Sequence, residues 1–141
     1  MKAASWAAIV ALLAGAPAAD AQVVTKQYDD GGVYEGTFRN GRQHGQGSYT
    51  LPNGYRYEGD WNVGVKEGQG KITYPDGAVY EGGMLAGQRA GKGKLTMADG
   101  LVYDGIWSAG QMSGTGVLVQ GSGDRYEGQM LNGRREGQGV A

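Results

Sequence analysis

The tripeptide Tyr-acid-Gly returns five times at one interval. It occurs as Tyr34-Glu35-Gly36, Tyr57-Glu58-Gly59, Tyr80-Glu81-Gly82, Tyr103-Asp104-Gly105 and Tyr126-Glu127-Gly128, always 23 residues apart. A fixed period of this length, without insertion or deletion, marks a repeat architecture. The glycines keep the same register: Gly36, Gly41, Gly45, Gly47 and Gly54 return as Gly59, Gly64, Gly68, Gly70 and Gly77, and so on down the chain. Of the 29 glycines, all but Gly15, Gly32, Gly83 and Gly121 fall on five template positions, with Gly31 as the turn glycine ahead of the first copy.

Each copy reads as two strands and two turns. Tyr57, Gly59 and Trp61 alternate with Glu58 and Asp60, the period of a strand with one buried face. The Trp61 position holds Phe38, Met84, Trp107 and Met130 in the other copies, always large and apolar. A second strand runs through Gly70, Ile72 and Tyr74 after a turn around Gly64. Pro75-Asp76-Gly77, matched by Pro52-Asn53-Gly54 and Ala98-Asp99-Gly100, then suits a type I turn closed by a left-handed glycine. Short turns on both sides force an up-and-down antiparallel meander. Glycine weakens a strand, so Gly36, Gly45, Gly47 and their copies are expected to make room for aromatic rings lying flat on the backbone. The expected fold is therefore all-β: an elongated single-layer meander of stacked 23-residue hairpins, preceded by a signal-peptide helix. One hairpin is marginal alone, so each copy depends on its neighbours.

The pattern Tyr-Glu-Gly-x-aromatic-x-x-Gly, then Gly-x-Gly, then Asp/Asn-Gly, resembles the MORN (membrane occupation and recognition nexus) repeat. Tyr57-Glu58-Gly59-Asp60-Trp61, Gly68-Gln69-Gly70 and Pro75-Asp76-Gly77 carry the resemblance most clearly, and it covers residues 28 to 139. Departures are Met84 and Met130 in place of the aromatic, and Gln120-Gly121-Ser122-Gly123, which degrades one turn. The resemblance implies a twisted sheet of stacked hairpins with an aromatic-lined groove. It also implies scaffolding, protein docking or phospholipid binding, and not the kinase activity of lipid kinases that carry such repeats. The repeats use nearly every residue, and no glycine-rich loop is followed by a strand lysine.

The N-terminus has a different composition. Lys2 precedes the apolar run Ala7-Ala8-Ile9-Val10-Ala11-Leu12-Leu13-Ala14, then the breakers Gly15 and Pro17, then the small-x-small signature Ala19-Asp20-Ala21. The run is shorter than the ~20 residues a membrane span needs. This predicts an export signal over 1–21, with cleavage after Ala21 to release a periplasmic or secreted protein. Residues 22–33, with Val23-Val24-Thr25-Lys26-Gln27-Tyr28 aligned on the second strand of a missing earlier copy, form a cap. Residues 34–141 form five repeats, the last incomplete, whose open sheet edge near Val140-Ala141 offers a route to self-association. The absence of cysteine rules out disulfides and thiolate-bound metal. A net charge of −1 gives no global attraction to nucleic acid.

The chemistry-bearing residues divide into four sets. Glu35, Glu58, Glu81, Asp104 and Glu127 form a ladder at one template position, with members two strand spacings, ~10 Å, apart, which is too regular for an acid–base dyad. His44 is the sole histidine and lacks the partners of a metal site or triad. Calcium is not expected, because the turn aspartates lack the nonapeptide spacing of calcium-binding β-rolls. No catalytic residue, metal or cofactor is therefore expected. Tyr34, Tyr57, Tyr80, Tyr103 and Tyr126, with Trp61 and Trp107, either line a groove or make up the core. Finally, alternate turns of a meander fall on opposite sheet edges. Arg39, Arg42, Lys66, Arg89, Arg134 and Arg135 gather on one rim, and Asp29, Asp30, Asp76, Asp99 and Asp124 on the other. The basic rim could dock on an acidic protein partner or an anionic envelope surface. The sequence thus points to a non-catalytic binding or scaffold module, with an anionic phospholipid- or glycan-binding module as the alternative.

Overall fold

The computed structural model describes residues 9–11 and 22–140. Twelve strands follow one another in a single sheet: β1 (Ile9–Ala11), β2 (Val23–Gln27), β3 (Val33–Arg39), β4 (Arg42–Thr50), β5 (Arg56–Asn62), β6 (Val65–Thr73), β7 (Val79–Leu85), β8 (Gln88–Thr96), β9 (Val102–Ser108), β10 (Gln111–Val119), β11 (Arg125–Leu131) and β12 (Arg134–Val140). Every strand pairs antiparallel with its sequence neighbours, in the order β1 to β12. The sheet is an open meander without crossover, and no helix packs on it among the described residues. The expected leader helix and its cleavage site lie outside the described residues, except for Ile9–Ala11, which run extended against Val23 to Thr25.

The two turns of each copy differ in kind. On one edge Asn40-Gly41, Val63-Gly64, Ala86-Gly87, Ala109-Gly110 and Asn132-Gly133 all have positive φ at both residues. That is the signature of a two-residue type I′ connection, whose twist matches that of the strands it joins. On the other edge the Gly54 N–H donates to the Leu51 carbonyl (3.1 Å), with Gly54 at φ +100°. Gly31, Gly77, Gly100 and Gly123 repeat the arrangement. These are type I turns closed by a left-handed glycine. The degraded turn keeps its shape, because Gly123 N–H donates to the Gln120 carbonyl at 2.8 Å.

The Gly-x-Gly motif resolves into two distinct jobs. The second glycine lies under a tyrosine: a Cβ built on Gly93 would stand 2.2 Å from the Tyr80 hydroxyl and 2.5 Å from its ring. Gly47, Gly70, Gly116 and Gly139 are covered in the same way by Tyr34, Tyr57, Tyr103 and Tyr126. The first glycine makes no room for a ring, contrary to the sequence-based expectation. Gly45, Gly68, Gly91, Gly114 and Gly137 have φ between +66° and +117° and sit where the pairing shifts register. They form bulges, with three residues of the second strand opposite one of the first, and a left-handed φ favours glycine there.

The bulge explains the tyrosine. Each ring crosses its glycine, and its hydroxyl donates to the carbonyl three residues on: Tyr34 to Thr37, Tyr57 to Asp60, Tyr80 to Gly83, Tyr103 to Ile106 and Tyr126 to Gln129, at 2.7–3.0 Å. Those carbonyls belong to the residues facing the bulge, where ladder bonding is interrupted, so the phenol satisfies an acceptor the strands leave free. Trp61 and Trp107 then tie copies together. Trp61 packs edge-on against Tyr34 and Tyr57 at 5.4 and 5.2 Å, and its indole N–H donates to the Gly47 carbonyl of the preceding copy. Trp107 does the same with Tyr80, Tyr103 and the Gly93 carbonyl. Edge-on aromatic pairs of this kind add about 0.5–1.5 kcal/mol each beyond burial.

Candidate functional site

The sheet has two unlike faces. On the charged face, Glu58 stands opposite Lys71, Lys71 opposite Glu81, Glu81 opposite Lys94 and Lys94 opposite Asp104. Glu35 is separated from Glu58 by Ser48, and Glu127 lies opposite Val117. Glu58 and Glu127 also pair with Arg56 and Arg125 on their own strands. All five acids are exposed and no two stand on adjacent strands; Glu58, Glu81 and Asp104 form a row of cross-strand charge pairs with Lys71 and Lys94, as favours a solvated sheet face. His44 serves the backbone, its Nδ1 accepting the Val63 N–H at 3.1 Å. Asp30, Asp76 and Asp99 each take the N–H two residues on, at 2.7–3.0 Å, which braces the type I turns. Among the described residues no three His, Asp or Glu side chains gather as a metal ion would require.

The aromatic face holds the core. Tyr34, Tyr57, Tyr80 and Tyr103 are fully buried, and Tyr126, Trp61 and Trp107 are nearly so. These are the seven candidate groove aromatics; their rings pack on glycine backbone and on one another, and of the seven only Trp61 also borders the cleft described below. Burial pushes the hydroxyls of Tyr34 and Tyr80 up to about 12, and that of Tyr57 higher still, so all three remain hydrogen-bond donors.

The rings that stay open are others. Tyr28, Tyr49, Tyr55 and Tyr74 lie half-buried against the core, with Tyr28 edge-on to Tyr49 and Tyr55 edge-on to Tyr74, both at 6.2 Å. None belongs to the Tyr-acid-Gly motif, and so a reading centred on that motif passes over them. Their signal was variation. The Tyr49 position holds Ile72, Leu95 and Leu118 in later copies, and the Tyr28 position holds Leu51, Tyr74, Met97 and Gln120.

The basic rim is divided by the strand register. Arg39, Arg42 and Arg134 are exposed at the type I′ edge, with Arg39 directly opposite Arg42. Lys66, Arg89 and Arg135 stand opposite Trp61, Met84 and Met130 and so turn onto the aromatic face. Lys66 Nζ lies 4.9 and 5.4 Å from the ring centres of Tyr55 and Tyr57 and donates to the Tyr55 hydroxyl at 2.7 Å. The Arg89 guanidinium lies 4.5 Å from the Trp107 ring, and Arg135 lies 5.0 Å from Tyr126. These are cation–π placements, in which the ring quadrupole faces the charge.

One cleft of about 390 Å³ opens on this face between the first two copies, lined by Tyr28, Asp30, Gln43, Tyr49, Trp61 and Lys66 among others. Its polar groups are held in place: Gln43 Nε2 donates to the Tyr28 hydroxyl at 3.0 Å, and the Tyr49 hydroxyl donates to Asp30 at 3.3 Å.

A one-layer sheet built from identical hairpins, with its core between copies instead of between layers, defines a hairpin-repeat protein. The chain belongs to the MORN repeat family: the family model matches residues 34–54, 57–79, 80–102, 103–125 and 126–141 in five consecutive copies. No curated protein matches the sequence. MORN repeats are generally modules for interaction with proteins or membranes.

Proposed function

We propose that the protein is a non-catalytic binding or scaffold module, exported after cleavage near Ala21, that holds a protein partner or an envelope surface. The observation that carries this reading is the contrast between lattice and variable positions on the aromatic face. The lattice tyrosines and tryptophans are committed to backbone and to each other. Of the variable tyrosines, Tyr28 and Tyr49 line a cleft with fixed polar groups, while Tyr55 and Tyr74 stay partly open outside its lining. Concave sites with aromatic walls and a few oriented polar groups are the usual form of a recognition site.

Docking on anionic lipid is the second reading, favoured by Arg39 and Arg42 facing each other at an exposed edge. It is weakened by the inward turn of Lys66, Arg89 and Arg135, since each charge drawn off a membrane-facing rim reduces the attraction. Immobilised protein should retain a partner from envelope extract and lose it when Tyr49→Leu and Lys66→Gln are combined. Vesicle binding at low salt that disappears with Arg39→Gln and Arg42→Gln would shift the assignment to the membrane edge. Absence of both kinds of binding would sink the proposal.

A further inference from the structure

We infer that the cleft between the first two copies binds an acidic saccharide, with a sugar ring on Tyr28 and Tyr49 and its carboxylate at Lys66. This rests on the binding-module reading and names its ligand class. The volume, about 390 Å³, lies within the range of roughly 300–1,000 Å³ found for small-ligand sites. Its lining combines rings and polar groups: Tyr28, Tyr49 and Trp61 with Asp30, Gln43 and Lys66. A purely apolar occupant would strip water from those three polar side chains and return no hydrogen bond, a costly exchange. A saccharide fits both kinds of surface, because its C–H face stacks on aromatic rings while its rim carries hydroxyls.

The polar groups are oriented yet not saturated. Gln43 uses its amide N–H₂ on the Tyr28 hydroxyl and keeps its carbonyl oxygen as an acceptor. Lys66 has three donors and gives one to Tyr55. Asp30 receives the Gly32 N–H and the Tyr49 hydroxyl, which hold its carboxylate as a fixed acceptor for sugar hydroxyls.

Charge decides for an acidic sugar over a neutral one. Lys66 is half-buried, and among the described residues no carboxylate lies within ion-pair distance of it. Only phenol and ring faces meet its charge. A ligand carboxylate supplies the counter-charge the cleft lacks, in a setting where a charge-assisted hydrogen bond is shorter and stronger than a neutral one. Asp30 belongs to the turn that follows Tyr28, and Lys66 follows the type I′ turn of the opposite sheet edge. The two charges therefore sit toward opposite ends of the cleft, and Asp30 does not compete for the carboxylate's place. No other copy repeats the set, because Ile72, Leu95 and Leu118 stand for Tyr49, Leu51 and Met97 for Tyr28, and Met112 for Lys66.

The test is calorimetric titration of the purified protein with oligogalacturonate, with oligoalginate, and with neutral cello-oligosaccharide of equal length. Lys66→Gln and Tyr49→Leu install residues found at the same template positions in sister copies, Gln43 and Leu95, so the fold is retained and an unchanged melting profile verifies it. At least one acidic oligosaccharide should bind, more tightly than the neutral one. Lys66→Gln should weaken it about tenfold, the size of one lost charge-assisted hydrogen bond, and Tyr49→Leu at least as much. Lys92→Gln, exposed and outside the cleft, should leave the affinity unchanged. No binding of either acidic oligosaccharide, equal binding of the neutral one, or indifference to Lys66→Gln would each overturn the inference. If envelope extract still yields a partner in that case, the binding-module reading survives without it.

Discussion

The first two copies and the fourth share one backbone and differ in what fills it. Both have the tyrosine crossing its glycine, the bulge and the two-residue turn. In the fourth copy the inward positions hold Leu118 and Met112, which close over the face; in the first they hold Tyr49 and Gln43, which leave it open. The difference teaches that the lattice residues build the strip without specifying what it recognises. Recognition is free to vary at the inward positions that no turn, bulge or ring requires.

The sharpest way to break the shared part is Gly93→Ala. The new methyl would meet the ring of the fully buried Tyr80, and overpacking of this severity should cost about 3 kcal/mol or more, measured by urea denaturation. The same change at Gly47 or Gly116 should cost as much, since the lattice is alike in both halves.

Alkali should act next. Burial raises the Tyr34 and Tyr80 hydroxyls to about 12 in the fold, against about 10 in the unfolded chain. Protonation therefore favours the folded state. That contribution is fully present below about pH 10 and is lost as pH climbs from 10 toward 12. Phenolate absorbance of the core tyrosines should thus rise together with loss of the sheet signal; ionisation with the sheet intact would contradict the buried geometry.

Gly91→Ala separates the two glycines of the motif. Nothing lies within 4 Å of its Cβ position, and only the φ of +73° resists the change, so a loss of about 1–2 kcal/mol is expected. A penalty equal to that of Gly93→Ala would refute the bulge assignment. Smallest of all should be Lys66→Gln, no more than about 1 kcal/mol in stability, the size of its cation–π contacts with Tyr55 and Tyr57. Its effect belongs to binding, which is the contrast between the two regions in its plainest form.

Most of the fold was legible because the template glycines mark both turns and the Tyr-acid-Gly alternation sets the strand faces. For the repeated tyrosines the sequence leaves core and groove both open; in the fold they are buried, each hydroxyl bonded to the carbonyl three residues on. The separate roles of Gly91 and Gly93 were not legible, because spacing carries no φ. The inward turn of Lys66 was encoded but unread: a two-residue connection at Val63-Gly64 pairs Trp61 with Lys66, and partners in register share a face. The rim reading grouped residues by edge and overlooked that alternation. Tyr28, Tyr49, Tyr55 and Tyr74 stand at positions that vary between copies, so the repeat pattern carries no signal for them.

The type I′ turns carry one more consequence. The Gly64, Gly87, Gly110 and Gly133 N–H groups donate to the carbonyls of Gln43, Lys66, Arg89 and Met112, so each copy is clasped to the one before it by the same backbone bond. The clasp asks nothing of any side chain. Copies beyond the third can therefore be added or removed as whole units, each lengthening the strip by two strand spacings, ~10 Å, without disturbing the cleft, whose lining ends at Gly87. The molecule is in this sense a ruler, graduated in identical steps, with its reading head at one end.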